Sequence, residues 1–266
     1  MATTQKEMSF LDHLEVLRWT LMRSLGSVLI AAIGLFFCKD WLFDSIVLAP
    51  KDADFYTYGA FCKLSHLIGL GDKLCMGEIP LTLQSITMSG QFSTHIMVSF
   101  IGGFIIAFPV VIWEFWRFLK PGLKQTEKET ARGIVFYSTL LFSVGVLFGY
   151  YIIAPLSVQF LGSYQVSASV ANQISLNSFI STVTTVTLSS GLIFQLPILI
   201  YFLAKMGIVT AEFLRKYRKH ALVVVLVLSA IITPPDITSQ VLVALPILLL
   251  YEVSIIIAKK IQAKHV

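Results

Sequence analysis

The chain has 266 residues, of which 56% are hydrophobic and only 13% are charged. A soluble domain carries roughly 25% charged residues, and several apolar runs here approach the ~20 residues that span a bilayer. The composition excludes an ordinary soluble domain and predicts an integral membrane protein. The net charge of +5 does not indicate nucleic-acid binding, because the basic residues lie in short clusters between apolar runs, as topology signals do.

The first predicted element is an amphipathic helix over residues 9–23, which we expect to lie at the membrane interface. Ser9 and Asp12 have the spacing of a capping box. Apolar residues recur at helical spacing beside a polar stripe that contains Glu15 and Arg18. The first span is predicted to follow at about residues 21–38.

A long polar loop follows at residues 39–89, which we place outside the cytoplasm. Cys62 and Cys75 lie in this loop. A disulfide between them would be allowed there and would contribute about 3 kcal/mol in the chain-entropy model. The alternative is a pair of unpaired thiols.

Five further spans are predicted, at about residues 91–112, 133–155, 178–204, 221–232 and 239–257. The last two are unusually short. Twelve residues at ~1.5 Å each reach only ~18 Å, well below a hydrocarbon core of ~30 Å. We therefore expect this pair to thin the membrane locally or to pack behind longer helices.

The charged loops predict the orientation of the chain. Sixteen Lys and Arg residues lie on one side, in the N-terminal segment, the loops at 113–132 and 205–220, and the C-terminal segment. The other side has four lysines, all in its long first loop. The positive-inside rule then predicts six spans with both termini in the cytoplasm. Trp113 and Trp116 beside basic residues are typical of the membrane–water interface.

Polar groups inside the apolar runs are candidates for function, because burying them in lipid is costly. Glu252 lies within the last run, unless it is close enough to the interface to stay hydrated. Gln195 can hydrogen-bond a neighbouring helix. Thr233, Asp236 and Gln240 cluster at the turn between the two short spans. They either dock a partner helix or satisfy backbone groups freed by the intervening prolines.

The residues alone leave the function open. His95 with Ser93 and Ser99 would be the only basis for an intramembrane protease, but the sequence has no nucleophile-elbow or His-Glu-x-x-His motif. His95 is more simply a helix–helix hydrogen-bonding residue. A secondary transporter ranks first on physical grounds and a docking scaffold second, although the repeated halves of many transporters are not evident.

Five motifs, taken together, resemble those of the TatC family, the polytopic subunit of the twin-arginine protein translocase. The resemblance covers nearly the whole chain in order. The motifs are His13-Leu14-Glu15-Val16-Leu17-Arg18; Phe118-Leu119-Lys120-Pro121-Gly122-Leu123 with Glu127; Phe194-Gln195-Leu196-Pro197; Thr233-Pro234-Pro235-Asp236-Ile237-Thr238-Ser239-Gln240; and Ala244-Leu245-Pro246 with Tyr251-Glu252.

The resemblance implies an all-α polytopic protein of the bacterial cytoplasmic membrane, a glove-shaped receptor of six helices in one domain. It implies no catalytic chemistry, cofactor or metal. Twin-arginine signal peptides of folded precursors would bind at the cytoplasmic face, and single-span partners of the TatA/TatB type would dock on the short last helices. The proton motive force would drive export. The expected partners also include membrane lipids and further copies in a homo-oligomeric complex, but no nucleic acid.

The resemblance also assigns roles to residues. Glu127 would bind the signal-peptide arginines, with Phe118 and Pro121 shaping its loop. A carboxylate suits this role, because a guanidinium forms charge-assisted, often bidentate, hydrogen bonds with it. Glu15 and Arg18 would contribute from the first motif. Two positions depart from the family pattern: Val16 and Gln195 stand where glutamate is usual.

Overall fold

The structure is a computed structural model that describes residues 10–52, 54–69, 71–75, 82–119, 131–167, 172–233 and 237–263. Within these residues it is almost entirely helical. The helices are α1 (Phe10–Phe37), α2 (Tyr56–Leu67), α3 (Gly90–Leu119), α4 (Ala131–Phe148), α5 (Ala154–Ser163), α6 (Leu176–Ile193), α7 (Leu196–Lys205), α8 (Ala211–Lys216), α9 (Arg218–Ile232) and α10 (Ile237–Gln262). Two short strands, β1 (Leu83–Gln84) and β2 (Ile174–Ser175), pair in parallel.

Among the residues that the structure describes, five helical stretches are long and apolar enough to cross a membrane. They are His13–Phe37, Gly90–Phe118, Gly133–Ser163, Leu176–Lys205 and Gln240–Gln262. The prediction of an all-α polytopic protein is therefore confirmed. Helix α9 has 15 residues and corresponds to the predicted short span. At ~1.5 Å per residue it reaches ~22 Å, less than the ~30 Å of a hydrocarbon core.

Three boundaries differ from the sequence-based expectation. The predicted interfacial helix and first span form one continuous helix, α1, because no Gly or Pro interrupts the pattern between them. The loop predicted at 113–132 begins later, since α3 continues to Leu119. The last helix extends to Gln262, so only the first of the final pair is short. A helix can continue past its apolar run because long basic side chains bury their apolar stems and keep their charged ends in water.

Proline and glycine interrupt two of the long stretches. A five-residue π-helical turn, Gly149–Ile153, separates α4 from α5. The stretch at 176–205 breaks at Phe194 and Gln195, and Pro197 lies in the first turn of α7. Proline cannot donate a backbone hydrogen bond and clashes with the preceding turn, which accounts for the break.

The chain divides into two compact units. The first contains residues 1–37 and 99–139, and therefore α1 and most of α3. A Cβ added at Gly103 would lie 2.6 Å from the backbone nitrogen of Ala32. Only glycine permits so close an approach of the two backbones, as in small-residue interfaces between membrane helices.

The second unit contains residues 38–98 and 140–266 and has two buried clusters. One brings together apolar residues of the π-helical turn, α6, α9 and α10: Ile153, Val186, Val225, Val243, Ala244 and Ile247. The other joins α7, α8 and α10: Ile200, Ala204, Ala211, Leu214, Ile255 and Ala258. The short helix α9 is thus held by burial against longer neighbours.

Candidate functional site

Two of the motif segments meet in the first unit. The imidazole of His13, on α1, stacks on the ring of Phe118, near the end of α3, with centroids 4.4 Å apart and planes 27° apart. Glu15 and Arg18 follow on α1 and are exposed. The Arg18 guanidinium lies 5.6 Å from the ring centroid of Trp19, within cation–π range. The structure therefore brings the first motif beside the start of the central motif.

A buried carboxylate lies one turn before Phe118. The side chain of Glu114 is only 10% exposed, and its Oε2 accepts a hydrogen bond from Nη1 of Arg23 at 3.4 Å. Nη1 of Arg117 lies 3.8 Å from Oε1. A buried charge is costly unless it is paired. Arg23 on α1 and Arg117 on α3 supply the two cationic partners of this carboxylate.

Glu114 was not among the residues predicted from the sequence. The available signal was a glutamate inside an aromatic cluster, three residues before Arg117, because residues at this spacing are neighbours on a helix. Its other partner, Arg23, is 91 residues away, and no local pattern predicts that contact.

Exposed aromatic rings surround this end of the unit. Trp19, Trp113 and Phe115 are each about half exposed. Such rings are typical of the membrane–water interface. The arrangement offers an exposed carboxylate, Glu15, two residues after His13 of the stacked pair, whereas the buried carboxylate of Glu114 is already paired. The exposed carboxylate and the exposed rings are suited to bind a cationic, partly apolar segment.

Three predicted site residues fall outside the part of the chain that the structure describes. They are Pro121 and Glu127, which follow α3 in the sequence, and Asp236, which immediately precedes α10. Their roles remain expectations from the sequence.

The predicted docking residues hydrogen-bond within the chain. Thr233 is buried and its hydroxyl donates to the carbonyl of Ser229 at 2.8 Å. The amide nitrogen of Gln240 donates to the carbonyl of Leu226 at 3.0 Å. Both bonds go to backbone carbonyls of α9, and the carbonyl of Ser229 also accepts from the backbone nitrogen of Thr233. Beyond the basic first turn of α9, its exposed surface is apolar and includes Val223, Val227 and Ile231.

The two predicted intramembrane polar residues occupy different settings. Oε2 of Glu252 accepts a hydrogen bond from Nη2 of Arg218 at 2.6 Å, and both side chains are about half exposed. Glu252 is therefore paired with Arg218 at the surface of the protein. Gln195 lies at the break between α6 and α7, where its carbonyl accepts from the backbone nitrogens of Ile198 and Leu199.

The loop between α1 and α3 is tied to the rest of the second unit. Cys62 and Cys75 are joined by a disulfide. The hydroxyl of Tyr58 donates to the carbonyl of Pro50 at 2.6 Å and lies 3.4 Å from that of Pro155. Burial, with a smaller contribution from the charge of Asp52, raises the pKa of Tyr58 to about 12.

His95 packs in the same unit. Its ring lies edge-on to Phe43 with centroids 5.5 Å apart. Ser93 is exposed, whereas Ser99 is buried. Neither exposure identifies a serine nucleophile for His95, so these observations add nothing to the protease interpretation.

Comparison with known proteins gives one consistent result. The family whose sequence model matches is described as "TatC: Sec-independent protein translocase protein (TatC)", and the match covers residues 12–246. A relative from Blattabacterium sp. subsp. Periplaneta americana, "Sec-independent protein translocase protein TatC", is 38% identical over 99% of this chain and 100% of its own length. A protein with the same description from Helicobacter pylori is 34% identical over 94% of this chain and 87% of its own.

Solved structures agree with the sequence comparisons. A crystal structure described as "Crystal Structure of Twin Arginine Translocase Receptor- TatC" superposes with a TM-score of 0.69 at 32% identity, covering 94% of this chain and 99% of that one. A second, determined in the detergent DDM, has a TM-score of 0.71 at 33% identity and covers 92% and 98%. The chain therefore belongs to the TatC family and is a multi-pass membrane component of the Sec-independent protein translocase.

Proposed function

We propose that this protein is the receptor subunit of a twin-arginine translocase, which binds twin-arginine signal peptides and docks single-span partner subunits. The observation that carries the proposal is the stacking of His13 on Phe118. It joins the two motif segments to which the family resemblance assigns signal-peptide binding. The relative described as a twin-arginine translocase receptor supports the same role.

The charges near the stack favour recognition of arginine by glutamates other than Glu114. The carboxylate of Glu114 already forms ion pairs with Arg23 and Arg117. The exposed carboxylate of Glu15 and the carboxylate of Glu127 are the acceptors we assign to the twin arginines. The family resemblance gives Phe118 and Pro121 the role of shaping the loop that carries Glu127, and Arg18 a supporting role in the first motif.

Docking of a single-span partner is assigned to α9 and α10. Helix α9 is shorter than a bilayer is thick, and its exposed apolar surface includes Val223, Val227 and Ile231. A partner helix packed there would cover apolar surface beside a locally thinned membrane. The side chains of Thr233 and Gln240 would orient the partner helix by hydrogen-bonding to it, either in place of their bonds within the chain or in addition to them.

The cellular setting follows from the distribution of Lys and Arg. We place the protein in the bacterial cytoplasmic membrane with both termini in the cytoplasm. In this orientation His13, Phe118 and Arg23 lie at the cytoplasmic face, where precursors arrive. Transport is attributed to conformational work driven by the proton motive force in an oligomeric complex, without an enzymatic step or a bound cofactor.

A binding assay tests the receptor role. Reconstituted protein is titrated with a twin-arginine signal-peptide fusion, and a twin-lysine fusion serves as the peptide control. We expect Glu127→Gln to weaken binding by about 10- to 150-fold, because hydrogen bonds to charged groups contribute roughly 1.5–3 kcal/mol. Glu129→Gln is the matched control, since it removes an equal charge two residues away.

Two outcomes would contradict the proposal. Equal binding by the two glutamine variants, with the wild-type salt dependence, would exclude Glu127 as the arginine acceptor. If the protein bound neither signal-peptide fusion, and liposomes containing it took up a solute saturably, a secondary transporter would be favoured. Docking is tested separately by crosslinking from a cysteine at Val227, and Val144 on α4 provides an exposed control position. Equal crosslinking from both positions would argue against a docking surface on α9.

A further inference from the structure

Four side chains that offer metal-ligand atoms converge in the loop between α1 and α3. Cys62 and His66 lie four residues apart on α2 and therefore share one face of the helix. Asp72 lies in the 3₁₀ turn Gly71–Leu74, and Cys75 follows that turn. One ligand atom from each of the four residues lies within 4.8 Å of all the others.

A sharp turn after α2 brings the second pair back to the first. Gly69 and Gly71 have φ angles of +75° and +60°, which glycine adopts without a steric penalty. The hydroxyl of Ser65 donates to the carbonyl of Gly71 at 2.5 Å. The backbone of the turn thus positions Asp72 and Cys75 against the end of α2.

The contacts within this Cys62–His66–Asp72–Cys75 cluster exceed what a disulfide requires. Nε2 of His66 lies 3.1 Å from Oδ1 of Asp72 and 3.8 Å from Sγ of Cys75. Oδ1 of Asp72 lies 3.7 Å from the same sulfur. The disulfide alone gives no reason for an imidazole and a carboxylate to point at one sulfur atom.

We propose that the cluster binds a zinc ion when Cys62 and Cys75 are reduced, and that the disulfide replaces the ion when they are oxidised. Two thiolates, one imidazole nitrogen and one carboxylate oxygen form a donor set that zinc accepts. Tetrahedral zinc with its usual bond lengths separates its ligand atoms by roughly 3.3–3.8 Å. The three distances around His66, Asp72 and Cys75 lie close to that range. The sulfur of Cys62 must separate from that of Cys75 and lies within 4.8 Å of the other ligand atoms.

The two states interconvert by a balanced exchange. In a newly made chain Cys62 and Cys75 are both thiols, and zinc binding displaces their two protons to solvent. A disulfide oxidant then takes two electrons from the two thiolates and is itself reduced to two thiolates, while the Cys62–Cys75 bond forms and zinc departs. The side chains of His66 and Asp72 are 58% and 85% exposed, so the ion can enter and leave directly from solvent. Either state ties α2 to the following turn.

Zinc content measured in both redox states tests the proposal. The full chain is purified in detergent with Cys38→Ser, because Cys38 is a free, exposed cysteine that would add a third thiol. One sample is kept oxidised and the other is reduced with a phosphine. Alkylation confirms that the oxidised sample has no free thiol and the reduced sample has two. We expect one tightly bound zinc per reduced chain and none per oxidised chain. Cobalt bound to the reduced sample should show thiolate-to-metal charge transfer and tetrahedral visible bands.

Matched variants identify the ligands. Zinc affinity is measured by competition with a chromophoric chelator. In the reduced state, His66→Ala and Asp72→Ala should each lower the zinc affinity by about 100-fold or more, because four ligands share the large binding free energy of such sites. His220→Ala and Asp54→Ala, which alter exposed residues elsewhere, should bind as the parent does. Equal zinc binding by the oxidised and reduced protein, no zinc in the reduced protein, or parental affinity in His66→Ala or Asp72→Ala would each overturn the proposal.

Discussion

Replacing Gly103 with alanine tests the close approach of α1 and α3. The added Cβ would lie 2.6 Å from the nitrogen, 2.8 Å from the Cα and 2.8 Å from the Cβ of Ala32. Two of these three atoms belong to the backbone, so no side-chain rotation relieves the clash. Reaching an ordinary separation of 3.4 Å requires the backbones to move apart by about 0.8 Å. Overpacking of this kind costs typically ~1–3 kcal/mol.

Gly34→Ala is the matched control, because Gly34 lies on α1 with nothing within 4 Å of an added Cβ. Both substitutions gain the same helix propensity of up to ~1 kcal/mol, so the difference between them isolates the clash. Thermal unfolding in detergent should place Gly103→Ala below Gly34→Ala by on the order of 2–12 °C, at ~2–4 °C per kcal/mol. Equal unfolding temperatures would refute the close-packing argument.

Three further predictions concern the second unit. Tyr58→Phe should destabilise the protein by ~1–3 kcal/mol, because the buried carbonyl of Pro50 loses its donor. The raised pKa of Tyr58 stabilises the folded state below pH 10, and this contribution should be lost as the pH rises from 10.0 to about 12. Unfolding titrations across that range should show a smaller loss in Tyr58→Phe than in wild type. Glu252→Gln should cost at most ~1 kcal/mol, since its pair with Arg218 is half exposed, and high salt should remove the difference. Thr210→Ala should cost about 1 kcal/mol by removing the N-cap of α8, measured by chemical unfolding.

Local sequence patterns predict the helical architecture well. Apolar runs indicate the long spans, and the short distance from the basic loop to Thr233 predicts the brevity of α9. The sequence describes α1 as an interfacial helix followed by a span, because Arg18 and Arg23 mark an interface. A helix can nevertheless pass through that interface without a break, because its backbone hydrogen bonds are satisfied internally.

The candidate site is only partly accessible to sequence reasoning. The family motifs single out Phe118 and Glu15, but only tertiary structure stacks His13 on Phe118 and pairs Glu114 with Arg23. Likewise, helical spacing relates Cys62 to His66, whereas the return of Asp72 depends on the glycine turn. Contacts between residues far apart in the chain leave no periodic pattern in the sequence. The contacts that join α1 to α3 at the candidate site are of this kind.

The parallel bridge between β1 and β2 has a consequence for biosynthesis. Leu83 pairs with Ile174, 91 positions later in the chain, and Thr57 similarly donates to the carbonyl of Tyr151. Insertion into the membrane proceeds from the N-terminus, so the loop before α3 emerges well before either partner has been made. That loop must therefore wait, incompletely folded, until α4 and α5 have been inserted. During that interval the loop before α3 would be most accessible to chaperones and proteases on its side of the membrane.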